Sequence, residues 1–496
     1  MKLKSNTLIL IGLVVFYFIT RTVNLKIIPI FTDEAIYSYW AQVALHDPAN
    51  RFISLEDGKQ PLFIWLSAVS QNFIADPLLA SRLVSVFAGF GSLIGIYWLS
   101  KELFTHKVAT LAALLYIILP FTLLHDRLAL FDSLLTMLGI WIVFFSQRLA
   151  KAPKLDNALL VAATIGAAQI TKSSAAFFLY LLPASLIFFD FRGRTKLARF
   201  MRWLSFAALV VIFSQLIYNA LRLSPLFYII ERKNYEFIKT FSEVLASFPD
   251  GLASNFKILV LWLFQYNGPF LIAIAAFVIL LGIFKRNWSI IFLSIYSSAP
   301  FAAEVIFNKV LFPRFSLFYF PYLIILMSYG LVAITSFKNR GKILWLFPII
   351  SLALPLFSSF RLLTDPPKAQ IADVDRGQYL NNWPAGFGVD QIVNFIKDKA
   401  GSRQEVYVGT EGTFGLLPYA LLIYTYGQSN IHITGFWPVD PNKLPAQILE
   451  FSQKYPTYFV FNENQKDIQN PHLKLLEKYQ KGQGDSYMRL YQVVNQ

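Results

Sequence analysis

Phe31-Thr32-Asp33-Glu34-Ala35-Ile36-Tyr37 follows the first long apolar run, Leu8 to Ile28, and sets two adjacent carboxylates where that run should leave a bilayer. Acidic side chains at a membrane edge are costly unless they are paired or functional. One reading makes Asp33 a reactive carboxylate with Glu34 beside it. The other makes the stretch a helix N-cap, with Thr32 or Asp33 opening a short helix and Glu34 in its first turn. The rest of the chain decides between them.

The chain has 496 residues, of which 56% are hydrophobic and 17% aromatic, and its mean hydropathy is +0.50. A soluble domain of this length has no interior large enough for so much apolar surface, so the composition predicts a polytopic α-helical membrane protein. The net charge of +15 could point to nucleic acid. Its distribution does not, because Lys and Arg gather in short loops between apolar runs, the positive-inside pattern. Without cysteine there is no disulfide, thiolate metal site or Cys nucleophile. Leu8 to Ile28 follows Lys2 and Lys4 and has no small-residue cleavage site, so it is expected to be a retained first span.

Runs of about 20 apolar residues can cross a bilayer. The expected spans are roughly 7–28, 78–100, 107–122, 129–148, 157–171, 174–190, 203–221, 258–283, 288–307, 315–336 and 342–360, about eleven in all. Lys2 and Lys4, Lys101 and Lys107, Arg148 to Lys154, Arg192 to Arg202, Lys285 and Arg286, and Lys338 to Lys342 then share one side, the cytoplasm. For that parity to hold, Pro61 to Ala75 and Glu34 to His46 must lie in the outer interface rather than cross. Residues 107–148 and 157–190 must be hairpins, with outer tips at Leu124 to Ser133 and Thr171 to Ser174. The arms of the second hairpin are roughly 22 Å long, so its tip should sit below the outer surface. The loop Arg222 to Lys257, with an amphipathic stretch Phe227 to Phe241, falls outside. Its basic residues fit the rule poorly, but long loops translocate largely regardless of charge. The polar tips thus gather on the face that carries Asp33.

From about Arg361 the character turns soluble. Runs 405–409, 431–436, 457–462 and 488–494 read as strands, and 389–400, 444–455 and 471–479 as helices, which predicts a small C-terminal α/β domain. The division expected is 1–360 for the membrane part and 361–496 for an extracytoplasmic domain.

Several residues could carry chemistry, and each has a plainer alternative. Lys59, in Asp57-Gly58-Lys59-Gln60-Pro61, is either a snorkelling cation or a point charge for a lipid-linked phosphate. Arg127 and Asp132 flank a helix start. They either pair with each other or act separately, Arg127 holding carboxylates and Asp132 orienting Lys59 or a substrate hydroxyl. His125 and Asp126 have metal-ligand chemistry, but no His-x-x-x-His or His-x-x-Glu-His pattern is present, so no metal site is assigned. Lys172, a cation within the membrane region, suits phosphate binding. Arg314, in Phe312-Pro313-Arg314-Phe315, is either an aromatic-belt anchor or a further phosphate cation. No glycine-rich phosphate loop or dinucleotide fingerprint appears. A transferase whose site faces away from cytosolic nucleotides needs its sugar delivered on a lipid.

These elements, taken together, resemble a known family. Asp33-Glu34 after the first span, Lys59-Gln60-Pro61, Arg127-Leu128-Ala129-Leu130-Phe131-Asp132-Ser133 and Thr171-Lys172 resemble the polytopic GT-C class glycosyltransferases. Within that class they are most similar to the bacterial members of the protein O-mannosyltransferase and lipid A aminoarabinose transferase branch. The likeness covers about residues 7–340. It implies a polyprenyl-phosphate sugar donor, an acceptor hydroxyl on protein, lipid or glycan, an inverting transfer and a site on the outer face of the plasma membrane. It implies Asp33 as general base with Glu34 beside it, and Asp132 as the second acid. By the same likeness Arg127, Lys59, Lys172 and Arg314 contact donor, with His125 close by. No cofactor is implied; a divalent cation is compatible but not required. Gln60-Pro61 stands where many relatives have Pro-Pro, and the C-terminal part does not read as a β-trefoil. The alternatives are a lipid-linked glycan flippase or transporter, which should show inverted repeats, and a non-catalytic assembly subunit.

Overall fold

The computed structural model describes residues 5–335, 343–401, 403–462 and 468–494. The clusters at Lys2 and Lys4 and at Lys338 to Lys342 lie outside the described residues. Among those described, four helices are individually long and apolar enough to cross a membrane: Pro77–Leu103, Phe131–Lys151, Lys196–Leu223 and Trp288–Phe307. Other expected spans are shorter or broken apolar helices, among them Thr7–Thr22, His106–Ile118, Ser173–Phe188 and Phe320–Thr335. Local chemistry sets several of these ends. The Asp76 carboxylate accepts the Leu79 N–H at 2.9 Å ahead of Pro77, and Asn287 caps Trp288–Phe307 in the same way.

Helices in a bilayer gain little from apolar burial against one another, so close packing at small residues holds them together. Gly139 lies so near the Phe178 ring that a Cβ would fall 2.2 Å from it. Leu216, Phe277, Leu280 and Phe284 stay exposed on the helices that carry them, as suits a lipid-facing surface. With this apolar exterior, the chain is a polytopic helical membrane protein.

The single span expected over 258–283 is two helices. Asp250–Asn267 and Pro269–Phe284 meet at a bend of 116°. Gly268 has φ +74°, a left-handed region that side chains disfavour, and Pro269 has no N–H to continue the ladder.

The C-terminal part holds a five-stranded sheet. Its strands are β1 (Val406–Glu411), β2 (Ile431–Phe436), β3 (Thr457–Phe461), β4 (Leu473–Gln480) and β5 (Tyr487–Val493), in the order β2-β1-β3-β5-β4. β2, β1 and β3 run parallel, and β5 and β4 return antiparallel. Helix Val389–Ala400 matches the sequence reading residue for residue, whereas 471–479 is β4 rather than a helix. Its register shifts between Leu475 and Glu477, a bulge that leaves Leu476 outside the paired positions. Partly buried positions therefore recur every third residue, at Leu473, Leu476 and Tyr479, which imitates helical spacing. The helix Leu416–Thr425 went unread because it is apolar on all sides.

This sheet region is tied to the first exit turn. Phe31 forms a β-bridge with Ala385, and the Thr32 N–H donates to Pro384 O at 3.0 Å. The Gly386 N–H donates to Ile30 O at 2.7 Å, and Tyr39 stacks on Tyr419.

Candidate active site

The exit turn runs straight into the helix Thr32–His46, whose N-cap position is Phe31. Neither Thr32 nor Asp33 caps it. Glu34 does, reaching back to the Phe31 N–H at 3.1 Å. Adjacent carboxylates on a helix point about 100° apart, and here the two point to different worlds.

Glu34 faces inward and is fully buried. Arg82 meets both of its oxygens, Nε at 2.8 Å and Nη2 at 2.7 Å, and the Ala129 N–H donates to Oε1 at 2.7 Å. Arg82 also donates to the carbonyls of Leu25, Ile28 and Pro29. With every lone pair engaged and no solvent contact, Glu34 staples the exit turn to two other segments.

Asp33 stays partly open and pairs with Arg314 at 2.8 Å. Arg314 comes from the 3-10 turn Pro313–Ser316 and lies over the rings of Phe31, Phe312 and Phe315. That turn is held from behind: Ser316 and Tyr319 both donate to Glu304, at 2.9 and 2.8 Å. Burial opposes the guanidinium charge, but Asp33, Tyr379 and Asp132 outweigh it and keep its pKa above the usual value. Arg314 Nη1 is buried and has no partner among the described residues.

The second pair is Lys172 with Asp132, at 2.6 Å. Asp132 sits in the first turn of Phe131–Lys151, and Lys172 at the tip after Leu155–Gln169. Lys172 also lies over Phe315, 4.5 Å from the ring centroid, which brings it against the Arg314 turn. Asp132 therefore orients Lys172, not Lys59.

Lys59 joins through its loop. Gln60 donates to Ser173 at 2.7 Å, and the Leu62 N–H to Ile170 O at 3.0 Å, so the Lys59 loop rests on the Lys172 tip. Lys59 itself lies over Phe237 and 3.9 Å from Asp57. Burial lowers its pKa, Lys172 and Arg314 act the same way, and Asp57 and Asp33 oppose them. Asp33, Lys59, Lys172, Asp132 and Arg314 thus share one electrostatic neighbourhood.

Arg127 and His125 stand elsewhere. Arg127 is buried and, among the described residues, holds no carboxylate; it donates to the carbonyls of Thr20, Arg21, Val23 and Asn24 and so closes the C-terminal end of helix Ser5–Thr22. Neither the Arg127–Asp132 pair nor a carboxylate-holding role for Arg127 forms. Asp126 belongs to the same inner layer, taking Arg21 at 3.4 Å and the hydroxyls of Tyr116 and Ser133. His125 is fully buried, with Nδ1 on Phe121 O and Nε2 3.8 Å from Asp375. Among the described residues no three His, Asp or Glu side chains gather as a metal site would require.

Sequence reasoning missed Arg82, Glu304, Asp375 and Tyr379. Arg82 and Glu304 lie inside apolar helices, where a lone charge was itself a signal. Asp375 and Tyr379 follow the last span in a polar linker, where nothing local marks them.

Residues 58–218 match the family model described as Dolichyl-phosphate-mannose-protein mannosyltransferase. That stretch includes Lys59, Arg127, Asp132 and Lys172; Asp33 and Arg314 fall outside it. No curated protein sequence matches the chain. Among solved structures, ArnT from Cupriavidus metallidurans in the apo state superposes with TM-score 0.56 at 13% identity, over 98% of this chain and 97% of that one. The same protein bound to undecaprenyl phosphate gives 0.54 at 12%, over 98% of both. The Archaeoglobus fulgidus oligosaccharyltransferase in its apo form gives 0.54 at 12%, over 92% of this chain and 69% of that one. End to end, the chain has the GT-C fold of the polytopic membrane glycosyltransferases.

Proposed function

We propose that the protein transfers a sugar from a polyprenyl-phosphate donor to an acceptor hydroxyl, with inversion and with Asp33 as the general base. The observation that carries this reading is the Asp33–Arg314 pair beside the Lys172–Asp132 pair, with Lys59 close by. A carboxylate with partial access to solvent stands among three cations, on the fold shared with a protein whose structure holds undecaprenyl phosphate.

The acceptor oxygen attacks the anomeric carbon and passes its proton to Asp33. The bond from that carbon to the phosphate oxygen breaks, and the polyprenyl phosphate leaves with the electron pair. Cations fixed in a low-dielectric site stabilise the charge developing on that phosphate. Arg314 offers Nη1, and Lys172 and Lys59 add two further positive charges beside it. Phosphate competing for Arg314 would loosen that pair and leave the Asp33 oxygens open to the acceptor hydroxyl as donor binds. His125, beside Asp375, belongs to the donor side of the site. Glu34 and Arg127 serve by fixing the turn that presents Asp33.

In this reading residues 1–360 form the catalytic membrane part, with the N-terminus cytoplasmic. The site and the α/β domain of 361–496 face outward across a plasma membrane. Incubating the purified protein with a panel of polyprenyl-phosphate sugars and acceptors tests it. One donor of the panel should be consumed, and Asp33→Asn should stop its consumption; a panel left untouched, or full turnover by the variant, overturns the assignment.

A further inference from the structure

A group of buried polar atoms beside the Asp33–Arg314 pair has no hydrogen-bond partner among the described residues. They are Arg314 Nη1, Tyr379 OH, Asp375 Oδ1 and His125 Nε2. Their side chains form a series of neighbours, with Phe31 standing between Arg314 and Tyr379. The Phe31 ring has the Arg314 guanidinium 5.4 Å from its centroid and meets the Tyr379 ring edge-on at 4.9 Å. Tyr379 lies 6.3 Å from the His125 ring, and His125 Nε2 lies 3.8 Å from Asp375 Oδ2. Tyr266 donates its hydroxyl to that same Asp375 oxygen, which leaves the other one free. Asp375, Arg314, Asp132 and Asp33 all act electrostatically on Tyr379.

An unsatisfied buried polar group costs about 1–3 kcal/mol, so four on neighbouring side chains are not a neutral feature of packing. The backbone adds an independent sign. Gly377–Asn381 is a π-helical turn, closed by the Asn382 N–H on Gly377 O at 2.9 Å. Such turns are rare and recur at functional sites. Here the turn presents Tyr379.

The chemistry of the set selects its ligand. Arg314 donates, Tyr379 and Asp375 can each donate or accept, and His125 Nε2 accepts, because the ring proton sits on Nδ1 against Phe121 O. An ionised phosphate offers only acceptors and would leave His125 Nε2 unmet, and a polyprenyl chain would satisfy none of the four. Neighbouring hydroxyls on a sugar ring each give one proton and accept another, and they match the alternation. We propose that Asp375, Tyr379 and His125 form the subsite for the sugar ring of the lipid-linked donor and read its hydroxyls. Arg314 would stand at the boundary between sugar and phosphate. The inference rests on the transferase reading above and assigns the C-terminal linker a part in donor choice.

The test compares binding of a bare polyprenyl phosphate with binding of the same lipid carrying a hexose, a pentose or an amino sugar, using the full chain. Tyr379→Phe removes only the unpartnered oxygen and keeps the ring against Phe31 and His125, so it should fold. It should weaken the preferred sugar-bearing lipid by about five- to tenfold and leave the bare phosphate lipid unchanged. Asp375→Asn should show the same split. Equal losses on both lipids, or no loss on either, overturn the subsite. A wild type that binds bare and sugar-bearing lipid equally overturns the subsite alone; one that binds neither overturns the transferase reading and the subsite with it.

Discussion

Asp33 and Glu34 are neighbours in sequence, yet they belong to two layers with opposite rules. The inner layer holds Glu34 with Arg82, Asp126 with Arg21, and Arg127 on helix-end carbonyls, all buried, with Glu34 fully engaged and Arg127 spending both terminal nitrogens on the backbone. The outer layer holds Asp33 with Arg314, Asp132 with Lys172, and Lys59, each with one partner and some access. Inner charges are spent on geometry, because a saturated buried pair has nothing left to offer a ligand. Outer charges keep unused donors and acceptors and can exchange partners. Burial alone does not identify a working residue.

The contrast is sharpest if single changes separate the layers. Asp33→Asn should lower transfer by about a hundredfold or more while leaving folding and donor affinity near wild type, checked by turnover alongside thermal unfolding in detergent. Glu34→Gln should do the reverse. Leaving Arg82 buried and uncompensated costs about 3–5 kcal/mol, read as a lower unfolding midpoint and reduced yield; an unaltered midpoint with lost turnover would move Glu34 to the outer layer.

Asp375 supplies a pH test. Burial raises its carboxyl to about 7, with Asp132 adding to the rise and Tyr266 and Arg314 opposing it. The folded state therefore holds this proton at pH values where the unfolded chain has released it. Stability should fall as pH rises from about 4 to about 7 and level off above, by up to about 4 kcal/mol at about 1.36 kcal/mol per unit. In Asp375→Asn that slope should flatten. Lys172→Ala should weaken polyprenyl phosphate binding by about tenfold, the equivalent of roughly 1.4 kcal/mol, measured by titration. Arg148→Ala breaks a solvent-exposed pair with Glu102 and should change stability by less than about 1 kcal/mol. A larger effect there would blur the distinction between buried and open pairs.

The outer layer was largely legible in the sequence. Charge-sorted threading brought Asp33, Lys59, Asp132, Lys172 and Arg314 to one face, because parity constrains every loop at once. It did not separate Glu34 from Asp33, since side-chain direction depends on the packing of Arg82 and Ala129. Nor did it give Arg127 its place, because helix-end carbonyls leave no trace in composition. Residues 471–479 misled through a bulge at Leu476, and 258–283 through a hydropathy that ignored Gly268-Pro269. Asp375 and Tyr379 were invisible because their chemistry arises from contacts with His125 and Phe31, far away in the chain.

The hydrogen bond from Thr32 to Pro384 joins positions 352 residues apart. A ribosome adding about 5–20 residues per second needs roughly 20–70 s to make that interval. Throughout it the segment bearing Asp33 lacks the linker that fixes its direction. The direction of the Asp33 turn is thus set late, when the late-made linker returns to clasp the early-made segment.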